Sequence, residues 1–293
     1  MTTSFCSICQ DSKFPSFSLA GIIFLLTVLL MLGCGEQQQD DEYTDAMAEE
    51  HQNDTPEANA SWYEPTGDIT TQNVAYYDDV QGFMAEPDGS EGQDLPGVIL
   101  IHEWWGLNDN IRMMSRRLAE EGFRVLAVDL YEGEVAESSD QARELMQAAM
   151  QNPDNGLAHL QAAADFMNEN TNGKVGLMGW CFGGAWTLNG AIAMSDKLDA
   201  GVIYYGRVNT NPEELDTINI PLLGIFGEED GGIPVENVRE FETQLSELGK
   251  NAEIHIYEGA DHAFANPSGN RYEPEAAADA WDKTLGFLNE TLK

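Results

Sequence analysis

The sequence predicts an α/β domain, a mostly parallel sheet with helices on both faces. Three observations lead there. Short unbroken apolar runs such as Val98-Ile-Leu-Ile101 and Val125-Leu-Ala-Val128 read as strands buried on both sides. Segments of helical spacing separate them, so the pattern is repeated strand–helix alternation. Hydrophobic residues make up 42 % of the 293 residues, with 6 Trp, 9 Tyr and 12 Phe, enough for a real core.

Each element follows in order. Residues 74–87 read as an N-terminal hairpin and 96–103 as the first long strand. Residues 111–122 have helical spacing and a Gly stop, and 124–130 are a strand. Residues 138–150 begin with a Ser cap, and 155–170 form a further helix. The strand 174–179 runs directly into a helix at 182–194. Strands at 199–206, 221–227 and 252–259 follow, with helices at 235–249 and 275–292. The domain spans 68–293.

Charge excludes some functions. The chain carries 51 Asp and Glu against 14 Lys and Arg, a net charge of −37. Such a surface repels nucleic acid and anionic headgroups alike. Between Glu36 and Asp94 there are 17 acids and no Lys or Arg. Residues 34–67 accordingly read as an acidic, disordered tether. Residues 1–33 read as a signal peptide. The apolar run ending at Leu32 is about 16 residues, short of the roughly 20 that span a bilayer. Gly33-Cys34 at its end resembles a bacterial lipoprotein signal, which implies lipidation of Cys34. The expectation is an exported, membrane-anchored lipoprotein, with secretion as the alternative and the lipid as the sole membrane contact. Cys6 and Cys9 would leave with the signal, so Cys181 would be the only free thiol of the mature chain.

The chemistry centres on that thiol. Gly179-Trp-Cys181-Phe-Gly183 lies between a strand and a helix, the thiol version of the nucleophile elbow of α/β-hydrolases. Glycines on both sides permit the tight turn, and the helix N-terminus favours thiolate and oxyanion. Hydrolases of this fold order their triad as nucleophile, acid and base. Downstream, one strand ends in Glu228-Glu-Asp230 and the next in Asp261-His262. This selects His262 as base and Asp230 as orienting acid, with Glu228 and Glu229 as rivals. The first long strand ends in His102-Glu103-Trp104-Trp105-Gly106. Gly106 breaks the HExxH pattern and the setting is a strand end, so no metal is expected. The backbone N–H groups of Phe182 and Trp104 would form the oxyanion hole, and Glu103 would lie near Cys181. His51 falls in the tether, His159 within a helix and His255 within a strand. Trp104, Trp105, Trp180, Trp186 and Phe264 would line the site or fill the core.

The segments LPGVILIHEWWGLNDNIR, VLAVDLY, KVGLMGWCFGG, VIYYG, GEEDGGIP and YEGADHAFAN together resemble the dienelactone hydrolase family. The resemblance covers residues 74–292. It implies an α/β-hydrolase fold, a Cys181–Asp230–His262 hydrolase without cofactor, and Glu103 as the residue that regulates the thiol. It also implies two arginines that hold a substrate carboxylate, where this chain has Glu132 and Asn266. A small neutral ester or lactone is therefore expected in place of an anionic dienelactone, with no protein partner evident. The alternatives are a non-catalytic surface binding protein on the same fold, or a thiol acyltransferase or peptidase.

Overall fold

The computed structural model describes residues 43–51, 54, 63–90 and 92–293. The expected signal peptide, residues 1–33, and Cys34 lie outside the described residues. Eight strands form one sheet in the order β1-β2-β4-β3-β5-β6-β7-β8. The hairpin of β1 (Ile69–Tyr77) and β2 (Val80–Pro87) lies antiparallel at one edge, and β2 meets β4 antiparallel. From β4 (Arg124–Val128) through β3 (Gly97–Ile101), β5 (Val175–Trp180), β6 (Ala200–Tyr204) and β7 (Leu222–Gly227) to β8 (Ala252–Tyr257) all pairing is parallel. Every residue of β3, β4, β5, β6 and β7 is buried, which is why these strands read as continuous apolar runs. The edge strand β8 is only partly buried, and His255 within it is about one-third exposed.

Adjacent residues of β5 show that both faces are covered. Gly176 sits against Leu288 and Leu292 of α8 (Pro274–Leu292), whereas Leu177 meets Gly190 of α5 (Phe182–Ala193). Successive residues of a strand point to opposite sides, so α8 and α5 lie on opposite faces. Arg117 of α2 (Asp109–Glu120) stacks on Trp281 of α8 at 4.0 Å, which puts α2 on the α8 side. The Trp186 ring of α5 packs against Gly156 of α4 (Pro153–Asn170), which puts α4 on the other. Asn108 caps α2 by accepting from the Ile111 N–H, and Ser138 caps α3 (Ser139–Met150) by accepting from that of Gln141. The short α6 (Pro212–Leu215) and α7 (Val235–Glu247) complete the set. Among the described residues no helix is long and apolar enough to cross a membrane.

One expectation is corrected. Within the stretch read as a disordered tether, residues 43–50 form a helix, α1. Tyr43, Met47 and His51 recur every fourth residue and share one helix face. All three are buried while Asp45 and Glu49 face solvent. The acidic composition hides this stripe of three, because the apolar surface that orders it belongs to the domain.

Candidate active site

Parallel strands bring their C-terminal ends to one edge, and the candidate residues stand there. Cys181 directly follows β5 and is the N-cap residue of α5. Its backbone has φ 54° and ψ −116°, a strained conformation for a residue with a side chain. The turn is held by the Cys181 N–H donating to the Tyr204 carbonyl at 3.0 Å. A side chain at Gly179 would strike the Gly183 backbone, and one at Gly183 would strike the Ile101 carbonyl, which explains the flanking glycines. The thiol is free and buried. Phe182 is the first residue of α5, so its N–H has no acceptor within the helix.

Asp230 follows β7 and His262 follows β8. The His262 Nδ1–H donates to Asp230 Oδ2 at 2.7 Å, with both side chains at or below 1 % exposure. Asp230 Oδ1 accepts from the N–H groups of Gly232 at 2.9 Å and Ile233 at 2.7 Å. Of the three acids in this loop only Asp230 is buried, and Glu228 and Glu229 are exposed. Asp261 accepts from the backbone N–H of His262, so it braces the turn. Burial disfavours the imidazolium of His262. The Asp230 carboxylate and Cys181 outweigh that, and its pKa stands well above the ordinary value. Burial also pushes the Cys181 thiol up, but the His262 and His51 imidazoles bring it down to about 6.

Glu103, just after β3, is buried and accepts from the Asn266 amide at 2.7 Å. Burial and the charge of Cys181 push its carboxyl up to about 7, against the pull of His51 and His262. His102 is structural. It reaches the Glu103 carbonyl at 2.6 Å through Nδ1 and accepts from the Leu130 N–H at 3.1 Å through Nε2, tying the ends of β3 and β4 together. His159 bonds the Tyr76 hydroxyl at 2.8 Å. The aromatic residues divide. Trp104 and Phe264 belong to the site, in contact with His51 and Tyr205, with Trp105 against Trp104. Trp180 packs on Tyr204 and Trp186 on Phe182 and α4, within the core.

The residue that sequence reasoning set aside is His51. Its ring lies 4.5 Å from Trp104 and 5.1 Å from His262, and it is 3 % exposed. Asp54 accepts from its Nδ1 at 2.6 Å. Arg271 fastens this segment. It donates to the His262 carbonyl at 2.9 Å, the Glu50 carbonyl at 2.7 Å and Asp54 Oδ2 at 2.9 Å. Met47 is fully buried, with its sulfur 4.0 Å from the Cys181 sulfur. A signal was present in the 43/47/51 spacing, but nothing local to it indicated which surface it would cover.

The lowered thiol pKa gives a direct prediction. The thiolate forms as pH rises through the folded value, so its ultraviolet absorbance is expected to grow with a midpoint near 6, and Cys181→Ala removes it. A midpoint near the unperturbed value of about 8.5 overturns this assignment of the imidazoles.

Known proteins agree with this architecture. The sequence profile of the dienelactone hydrolase family matches residues 80–292. The protein usf of Aquifex pyrophilus is 34 % identical over 221 residues, covering 73 % of this chain and 94 % of that protein. An Escherichia coli K12 protein provisionally named a carboxymethylenebutenolidase is 32 % identical, covering 73 % and 83 %. The crystal structure of a Klebsiella pneumoniae protein, provisionally named a dienelactone hydrolase, superposes with a TM-score of 0.69 at 26 % identity, covering 76 % of this chain and all of that one. The chain belongs to the dienelactone hydrolase family and is a carboxylic ester hydrolase of that α/β fold.

Proposed function

We propose that the chain hydrolyses a small neutral ester or lactone by acyl transfer through Cys181. The observation that carries this reading is the 2.7 Å bond from His262 Nδ1 to buried Asp230, beside a thiol set on the elbow. It fixes the imidazole tautomer and leaves Nε2 to take the thiol proton. The thiolate attacks the acyl carbonyl, and the N–H groups of Phe182 and Trp104 receive the oxyanion. The alcohol leaves with the proton from His262, giving a thioester. His262 then takes a proton from water, the hydroxide attacks, and the acid and the thiol are released. Glu103, beside the thiol, tunes its resting protonation.

The neutral substrate follows from what the expected clamp positions do here. Glu132 accepts from the Asn155 amide at 3.0 Å, and Asn266 is engaged with Glu103. Neither offers positive charge to a carboxylate. Export and lipid attachment at Cys34 are proposed from the sequence alone, and mass spectrometry that finds no acyl groups on Cys34 in membrane extracts overturns them.

The test is a panel of neutral short-chain esters and lactones beside an anionic dienelactone. Turnover of the neutral compounds that Cys181→Ala abolishes is expected. Turnover confined to the dienelactone would mean that another base holds the carboxylate. Absence of any turnover by the folded protein would favour the binding-protein reading, and undiminished activity in Cys181→Ala would refute the nucleophile.

A further inference from the structure

Hydrolysis needs one imidazole at the thiol, and this site holds two. One ring nitrogen of His51, one of His262 and the sulfur of Cys181 lie within 4.8 Å of one another, and all three residues are buried. The two imidazoles are set alike. His51 Nδ1 is 2.6 Å from Asp54 Oδ2, and His262 Nδ1 is 2.7 Å from Asp230 Oδ2. An ionised carboxylate only accepts, so each Nδ1 carries its proton and each Nε2 presents a lone pair. Arg271 Nη2 lies 3.0 Å from His51 Nδ1 and donates to Asp54 Oδ2 at 2.9 Å; the 2.6 Å contact between Nδ1 and the same carboxylate still requires the proton on Nδ1. Both Nε2 atoms are buried, and among the described residues neither has a hydrogen-bonding neighbour other than the Cys181 sulfur. Two nitrogen lone pairs and a sulfur thus converge with one thiol proton to share, an arrangement that is costly in a dry site. A further sulfur, that of Met47, stands 4.0 Å from the thiol.

We propose that His51, Cys181 and His262 form a binding site for a soft late-transition-metal ion, Cu⁺ or Zn²⁺, and that the loaded chain is the inactive form of the hydrolase. Two imidazoles and a thiolate are the donors such ions select over hard cations. A carboxylate on the far nitrogen of each histidine is the support that metal-bound histidines carry, fixing the tautomer and raising basicity. Bond lengths of about 2.0–2.1 Å to nitrogen and about 2.3 Å to sulfur call for donors about 3.5 Å apart, a small contraction of the cluster. On binding, the thiol proton leaves to solvent as the sulfur–metal bond forms. The nucleophile and the base are then both ligands, so acyl transfer stops. The donors sit at positions 51, 181 and 262, which is why no sequence motif announced them and why the sequence led to the expectation of no metal.

The inference shares its nucleophile and base with the proposed hydrolysis but is read by a separate signal. The full chain, stripped by chelator, is titrated with Co²⁺ as a spectroscopic stand-in for Zn²⁺, with Zn²⁺, and with Cu⁺ under reducing conditions. One equivalent is expected to bind, with a thiolate-to-cobalt charge-transfer band, and ester turnover falls in proportion and returns with chelator. Asp54→Asn is expected to weaken binding about tenfold, and His51→Ala more. The tighter of the Cu⁺ and Zn²⁺ affinities assigns the metal, and a loss for Cu⁺ alone in Met47→Leu adds the Met47 thioether to its ligands. No charge-transfer band from the folded wild type overturns the proposal. So does His51→Ala binding as tightly as wild type, since that marks adventitious capture by the thiol. Turnover by the stripped enzyme is measured in the same samples. Turnover without metal binding sinks the metal site alone, and metal binding without turnover sinks the hydrolase reading.

Discussion

Asp230→Asn is expected to lower kcat by about 10⁴ with little change in KM, because the substitution reverses the tautomer of His262, the proposed base. The geometry dictates which way the amide turns. Asp230 Oδ1 accepts two backbone N–H groups, from Gly232 at 2.9 Å and Ile233 at 2.7 Å, while Oδ2 faces His262 Nδ1 at 2.7 Å. In the variant the amide oxygen must stay with the two N–H donors, since an NH₂ there would set donor against donor. The NH₂ therefore points at Nδ1, which has to become an acceptor. The imidazole proton moves to Nε2, and His262 no longer takes a proton from the thiol. The charge that raises the His262 pKa is lost as well. The thiol midpoint should then move up from about 6, in the same direction as the loss of rate. Steady-state kinetics and the ultraviolet titration read the two effects, with circular dichroism to establish folding. Glu229→Gln, one position away and exposed, is the control and should stay within about twofold. A fall of less than tenfold for Asp230→Asn would remove Asp230 from the assigned role.

How much of this was legible in the sequence varies with the range of the interactions involved. β3 and β4 appear in their apolar runs because they are buried on both faces. The helix caps at Asn108 and Ser138 are local chemistry and need no fold to be read. The elbow was legible for the same reason: the strain at Cys181 and the close approach of Gly183 to β3 leave a five-residue signature. Triad order places the acid in this loop but does not separate Asp230 from Glu228 and Glu229; burial of one acid out of three is the physical reason, and no pattern contained it. His51 was not legible. Its segment has an acidic composition typical of unfolded chain, and its order depends on Arg271, about 220 residues away, and on apolar walls supplied by the domain. Binary pattern and propensity describe what a segment does alone; α1 is ordered by what it touches.

That helix carries the second large effect. In the proposed mechanism a substrate carbonyl approaches the Cys181 sulfur to about 3–3.5 Å, yet the Met47 sulfur already stands 4.0 Å away. Met47 is fully buried, and its methyl group packs so closely on Gly232 that no side chain would fit there. Substrate and α1 are therefore expected to compete for this space, with the chain in which α1 is displaced as the competent form. The apparent affinity for substrate is scaled by that competent fraction. Truncating a buried Met to Ala costs about 2–5 kcal/mol in a closed core. One face of α1 is solvated, so the low end applies, and about 2 kcal/mol corresponds to roughly 30-fold in the open population. Met47→Ala is therefore expected to raise kcat/KM by roughly ten- to thirty-fold, through KM more than kcat, in chelator-treated protein. Met47→Leu keeps the bulk and should stay near wild type, which separates displacement from any chemistry of the sulfur. An unchanged kcat/KM in Met47→Ala would show that α1 leaves without cost. A fall would show that α1 builds the acyl pocket, and the competition argument would then be wrong.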